Sequence, residues 1–226
     1  MSIKHRASPG FRIAAALALA WAACLAPVAA GELRLQLDDG SLPVAGAVAS
    51  LHAEAREAPG ATAVMDQRDS TFVPGVLAVQ VGTSVSFPNS DRVQHQVYSF
   101  SKPKPFELPL YAGTPREPVT FDRPGVVVVG CNIHDWMIGY IVVLDTPYFA
   151  TSGDDGAIRL QAPPGRYTLR VWHSRLAEPR EEAVEVGTGA SERTLTLALG
   201  PPPPDRRGND RLRALQDRLR SLRRDP

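Results

Sequence analysis

Cys131, His134 and Met137 stand within seven residues, in the run Cys131-Asn132-Ile133-His134-Asp135-Trp136-Met137. A thiolate, an imidazole and a thioether are soft and borderline donors. With a second imidazole they form the ligand set of a mononuclear copper that moves electrons. The second imidazole must come from elsewhere, and His95, at the start of a strand after the turn Asn89-Ser90-Asp91, is the candidate. Zinc prefers four strong tetrahedral ligands, and a thioether is a poor fourth. A binuclear copper centre needs a second cysteine, which the chain lacks once Cys24 of the leader is set aside. Nucleophilic Cys-His chemistry is open on paper, but it leaves His95 and Met137 without roles. His52 and His173 lie in other predicted strands and read as structural or surface residues.

Those ligands need a rigid β scaffold, and the pattern supplies one. Val126 to Val129 is a continuous β-branched run, as expected of a strand covered on both faces. Extended segments are predicted at 33–37, 44–52, 63–67, 72–81, 83–88, 93–99, 118–121, 125–130 and 138–144. Pro74-Gly75, Gly82, Asn89-Ser90-Asp91 and Pro124-Gly125 separate or interrupt them. The proline-rich stretch 101–117 is expected to be an irregular surface loop. Beyond 145, strands resume at 157–161 and 167–173, and 182–186 and 193–199 are expected to form a final pair. No long amphipathic helix is legible before residue 205, so the class is all-β.

The segment His95-Gln96-Val97-Tyr98-Ser99-Phe100-Ser101, with Phe106-Glu107-Leu108-Pro109-Leu110-Tyr111 and Gly130-Cys131 through Met137, resembles the cupredoxins. The tight loop is most similar to that of amicyanin, and the wider wording resembles bacterial methylamine-utilisation proteins. The resemblance covers about residues 62–145. It implies a Greek-key β-sandwich and a type 1 blue copper on His95, Cys131, His134 and Met137. It further implies that Asn89 ties the two ligand loops together, that His134 is the exposed electron portal, and that Trp136 shields the metal or forms a docking rim. Many relatives carry a second histidine where this chain has Gln96. The implied role is electron transfer without catalysis, with a c-type cytochrome or haem enzyme as redox partner. A copper chaperone or storage protein is the alternative, and a β protein with a decayed site is a third reading. The flanks, with Leu42-Pro43-Val44-Ala45-Gly46 and Pro164-Gly165-Arg166-Tyr167, resemble a carboxypeptidase regulatory-like, transthyretin-like sandwich. The expected layout is a cupredoxin at 60–147 inserted into a second small sandwich made of 31–59 and 148–200.

The two ends read differently from the body. Residues 1–30 have the basic start, short apolar core and small residues Val28 and Ala30 of a cleavable signal peptide, which predicts export to the periplasm. Cys24 raises a lipid-anchored form as the lesser reading. Cys131 is then the sole thiol of an exported chain, a liability unless something occupies it. Residues 201–226 comprise a proline spacer and a tail carrying eight Arg and four Asp, with Leu212, Leu215, Leu219 and Leu222 at heptad spacing. That tail is expected to be a short basic helix or a solvated end, with weak contact to anionic membrane or a partner as its functional reading. Charge elsewhere gives no nucleic-acid footprint.

Overall fold

A computed structural model describes residues 30–53, 61–115 and 117–204 of the 226-residue chain. The signal-peptide and tail expectations therefore fall outside the described residues, apart from Ala30 and the spacer at 201–204. Among the described residues every regular element is a strand. In chain order these are β1 (Gly31–Asp38), β2 (Val48–His52), β3 (Thr62–Val64), β4 (Asp66–Arg68), β5 (Thr71–Val73), β6 (Val76–Gln80), β7 (Thr83–Ser86), β8 (His95–Ser99) and β9 (Phe106–Tyr111). They continue as β10 (Val119–Phe121), β11 (Gly125–Gly130), β12 (Ile138–Leu144), β13 (Phe149–Thr151), β14 (Ala157–Ala162), β15 (Gly165–Trp172), β16 (Arg180–Val186) and β17 (Ala190–Thr196).

The strands assort into two bodies. Sheets β14-β1-β17 and β13-β2-β15-β16 draw only on the two flanks of the chain. Leu33, Leu35 and Leu37 alternate inward along β1 and meet Leu51, Leu160, Leu169, Val171 and Val184 in one core. Sheets β6-β12-β11-β8-β9 and β10-β7-β3, with the β4-β5 ribbon, come from the middle segment. Val97, Val127, Val129 and Ile141 on the inner face of the five-stranded sheet pack with Val85, Phe87 and Phe121 in a second core, which also holds Cys131 and Met137.

One sheet face joins the bodies. Residues 138, 140, 142 and 144 of β12 point away from the inner core. Val142 and Leu144 cluster with Val48 of β2, edged by Val76, Ala78, Phe149 and Trp172. The Tyr140 and Trp172 rings are 5.4 Å apart. His52 Nδ1 pairs with Asp145 Oδ1 at 3.1 Å across the same seam.

Three sequence expectations are corrected. The stretch 101–117 is not wholly irregular, because β9 pairs antiparallel with β8. Its prolines suggest a broken chain, but β9 is an edge strand, where a missing N–H on Pro109 does not break a ladder on both sides. The segment 72–81 is two strands, β5 and β6, parted at Pro74-Gly75. The last two strands are not partners. β16 pairs with β15, whereas β17 lies parallel to β1 in the facing sheet.

Candidate metal centre

Gly130 and Ile138 close the β11–β12 ladder, and the seven residues between them form the loop that carries chemistry. The loop is clasped at its neck, where Cys131 N donates to Met137 O at 3.2 Å. Within it, Met137 N donates to His134 O at 2.8 Å. These bonds fold the loop back so that Cys131 and Met137 are both buried, at 3% and 1% exposure, while His134 is half-buried beside Trp136. The His134 and Trp136 rings meet edge-on at 5.2 Å.

His95 opens β8, on the other side of β11 from β12. Inward alternation buries it completely. Its Nδ1 lies 3.8 Å from Cys131 Sγ, and His134 Nδ1 lies at the same 3.8 Å from that sulfur. One donor atom from each of the three residues lies within 4.8 Å of the other two, so the structure gathers a His95, Cys131 and His134 group. Burial, and then the neighbouring His95, lower the His134 pKa and favour the neutral imidazole that a metal requires.

The far side of His95 is anchored by a residue that the sequence marks only as a turn former. Asp91 Oδ2 is 2.7 Å from His95 Nε2. Asp69 N donates to Asp91 Oδ1 at 2.7 Å, and Ser70 N donates to Oδ2 at 2.9 Å. Both donors have positive φ, 50° and 51°, so two successive amides turn the same way and cradle the carboxylate. Burial alone would raise the Asp91 pKa. The bonds from Ser70, His95 and Asp69 outweigh it and hold the carboxyl below its usual value. An ionised carboxylate at Nε2 fixes the proton there, which leaves the lone pair on Nδ1 facing Cys131. A His four residues after an Asp gives no hint of this contact, because it depends on the Asp69-Ser70 turn.

Asn89 is buried, but it does not reach the 131–137 loop. Its Nδ2 donates to Val93 O and to Tyr111 O, both at 2.9 Å, so it braces the approach to His95 against β9. It ties the His95 turn to a neighbouring strand, not to the loop that the resemblance implied. Beneath them, Tyr111 donates to Phe87 O and accepts from Gln67 Nε2, each at 2.6 Å. Burial pushes the Tyr111 pKa up to about 12, so the phenol stays neutral. His52 and His173 stand apart from the group. His52 bonds Ser50 and Asp145, and His173 Nδ1 accepts from Arg175 N.

No family model matches the sequence, and no curated protein matches it either. Among solved structures the chain is similar to a purple cupredoxin from Nitrosopumilus maritimus, at 26% identity over 37% of this chain and 99% of that one, with a TM-score of 0.32. It is similar to a reduced variant of amicyanin, at 24% identity over 42% of this chain and 98% of that one, with a TM-score of 0.34. A copper-containing nitrite reductase from Thermus scotoductus SA-01 matches at 28% identity over 50% of this chain and 28% of that chain, with a TM-score of 0.35.

Proposed function

We propose that this chain is an exported electron carrier built around one type 1 copper, which His95, Cys131 and His134 would hold with Met137 as a weaker thioether donor. The convergence of two imidazole nitrogens on one buried thiol carries the reading. The donor chemistry fits copper: two borderline nitrogens, a soft sulfur, and a buried thioether in the same apolar cluster. When bound, copper supplies a one-electron couple that needs no proton.

The chain's own residues do the rest. Asp91 orients His95, the clasped loop sets Cys131 and Met137, and the apolar core around them excludes water. Because His95 opens β8 and Cys131 directly follows the neighbouring strand β11 in a loop clasped at its neck, the donors hold their places as the charge changes, which keeps the cost of electron movement low. His134, the half-exposed ligand beside Trp136, offers an exit for the electron. The leader at 1–30 supports export to the periplasm, where a c-type cytochrome or other haem protein is the expected partner. Burial of His95 and Cys131 speaks against a chaperone, which hands copper on from an accessible site.

Titration of the purified protein with Cu(II) should give an intense blue or purple colour from thiolate-to-copper charge transfer, saturating at one equivalent. Cys131→Ser should abolish it. A colourless Cu(II) complex that is not reversibly reduced would overturn the reading.

A further inference from the structure

Strand β2 has two unlike faces. Ala49 and Leu51 point into the core of the flanking sandwich. Val48 faces the seam with the other body, and the two-residue spacing of a strand puts Ser50 and His52 on the same side. Asp145, the residue after β12, reaches this face from the opposite body. Ser50 Oγ lies 2.8 Å from His52 Nε2, and His52 Nδ1 lies 3.1 Å from Asp145 Oδ1. On the neighbouring strand β15, Arg170 stands directly opposite Ser50. Ser50, His52, Asp145 and Arg170 line one cleft of about 490 Å³, with Val48, Val142, Leu144 and Trp172 as its apolar wall.

The direction of these bonds follows from the groups that make them. A carboxylate only accepts, so the ring proton of His52 sits on Nδ1, and Nε2 presents its lone pair. Ser50 then donates its hydroxyl proton to Nε2; the other acceptor in reach, Arg170 O, is farther, at 3.5 Å. Burial, and then the Arg170 charge, lower the His52 pKa against the opposing pull of Asp145 and Glu181. At neutral pH the imidazole is therefore uncharged and able to take that proton. A hydroxyl aimed at a neutral imidazole, which a carboxylate orients from behind, is the arrangement that activates a serine as a nucleophile. Ser50 is 1% exposed. It forms the floor of the cleft, so a molecule that reaches it must be slim.

We infer that Ser50, His52 and Asp145 form a hydrolytic site at the seam, separate from the metal centre, which cleaves esters of small uncharged acyl groups. The apolar wall suits the acyl chain, and the carboxylates of Asp145, Glu178 and Glu181 around the cleft disfavour an anionic one. Ser50 Oγ bonds to the ester carbonyl carbon as its proton passes to His52 Nε2. The ester C–O bond breaks, and the alcohol leaves with that proton. Water then attacks the acyl-serine and gives a proton to His52; the acid departs, and the proton returns to Ser50 Oγ. Arg170, held through Nε by Glu181 at 2.7 Å, is the cation beside Ser50 that offsets charge gathering on the carbonyl oxygen. Asp145 acts through the ring, as a positioning residue. Two members come from one sandwich and the third from the other, so the site exists only where the two bodies pack.

p-Nitrophenyl acetate is such an ester. A linear alkyl fluorophosphonate reports the same nucleophile, because it leaves a stable phosphonyl group on the serine oxygen as fluoride departs. In the whole chain the fluorophosphonate should modify Ser50, as located by peptide mass spectrometry. Nitrophenolate release should exceed that of Ser50→Ala by at least about a hundredfold. Asp145→Asn is the sharper variant, since its amide donates to Nδ1 and sends the ring proton to Nε2. Both reactions should then slow by about 10²–10⁴-fold, in kcat and not in KM, with the circular dichroism spectrum unchanged. Modification that spares Ser50 in the parent chain overturns the site without any variant, and so do equal rates in a folded Asp145→Asn. Neither measurement depends on copper, so its failure and that of the electron-carrier reading are told apart.

Discussion

Asp91 Oδ2 lies 2.7 Å from His95 Nε2, and the same carboxylate is cradled by the amides of Asp69 and Ser70. Asp91→Asn keeps the shape but removes the negative charge that faces His95 Nε2 and orients the ring. Copper affinity should fall by about 10–100-fold. Cu(II) should suffer more than Cu(I), and each tenfold difference between them raises the reduction potential by about 59 mV. Competition titration and voltammetry read both. Unchanged values would reduce Asp91 to a fastener of the turn.

Tyr111 donates to Phe87 O and accepts from Gln67 Nε2 below the site. Tyr111→Phe takes the phenol donor from Phe87 O in a buried region, while Gln67 Nε2 keeps only its longer bond to Pro88 O at 3.3 Å. The expected loss is about 1–3 kcal/mol in urea unfolding, with the charge-transfer band kept. An unaltered midpoint would mean that the pair finds other partners.

Gly139 faces Phe72, whose Cβ and ring atoms would lie 3.0–3.1 Å from an added Cβ. Gly139→Ala should cost about 1–3 kcal/mol by overpacking. Adding Phe72→Ala, which removes Cγ and Cδ2, should make the double loss smaller than the sum of the two single losses. Additive losses in the double variant would show that the clash is not the cause.

His173 is buried, and its pKa is lowered by that burial and then by Arg175. Its folded value therefore lies below the unfolded value of about 6.5, so the unfolded chain binds more protons between the two. Stability contributed here is complete above about pH 6.5 and is lost as pH falls towards the folded pKa. His173→Gln in metal-free protein should flatten the decline in urea midpoint below that pH. His52 and His134, shifted in the same direction by burial, keep a remainder. An identical pH profile would exclude His173 as a contributor.

A fragment of residues 60–147 should fold and take up one copper, because both sheets of that body and its core are drawn from within it. It should also self-associate, since it uncovers Val142 and Leu144. An unfolded fragment beside a stable chain of 31–200 would show that the seam is needed for folding.

The ligand loop is legible in the sequence because chemistry and spacing coincide there: a thiol, an imidazole and a thioether in one short run suit few sites besides a soft-metal centre. Val126 to Val129 is legible as a strand because a β-branched run has little else to be, but the expected cover on both faces is not there, since Val128 is 42% exposed. His95 stands out because it follows a turn and opens an alternating stretch. Asp91 does not stand out as its partner, because that contact runs through Asp69 and Ser70, whose left-handed backbone no glycine announces. Strand β9 is hidden because proline signals breakage in a sequence, whereas at a sheet edge the backbone tolerates it. The partners of β16 and β17 are hidden because alternation reveals a strand but not its sheet.

The parallel pairing of β1 with β17, from Glu32↔Ala190 to Asp38↔Thr196, bears on how the molecule would carry mechanical load. A pull applied at residue 31 and at residue 197 acts on opposite ends of two adjacent parallel strands. The ladder is then strained in shear, with its hydrogen bonds stretched together instead of opening one by one as a zipper would. Residues 62–144 branch from this sandwich between β2 and β13, which are themselves paired through Ser50↔Phe149. Tension along the chain is therefore borne by the outer sandwich, and the ligand loop hangs to one side of the force path until the β1–β17 clamp gives way.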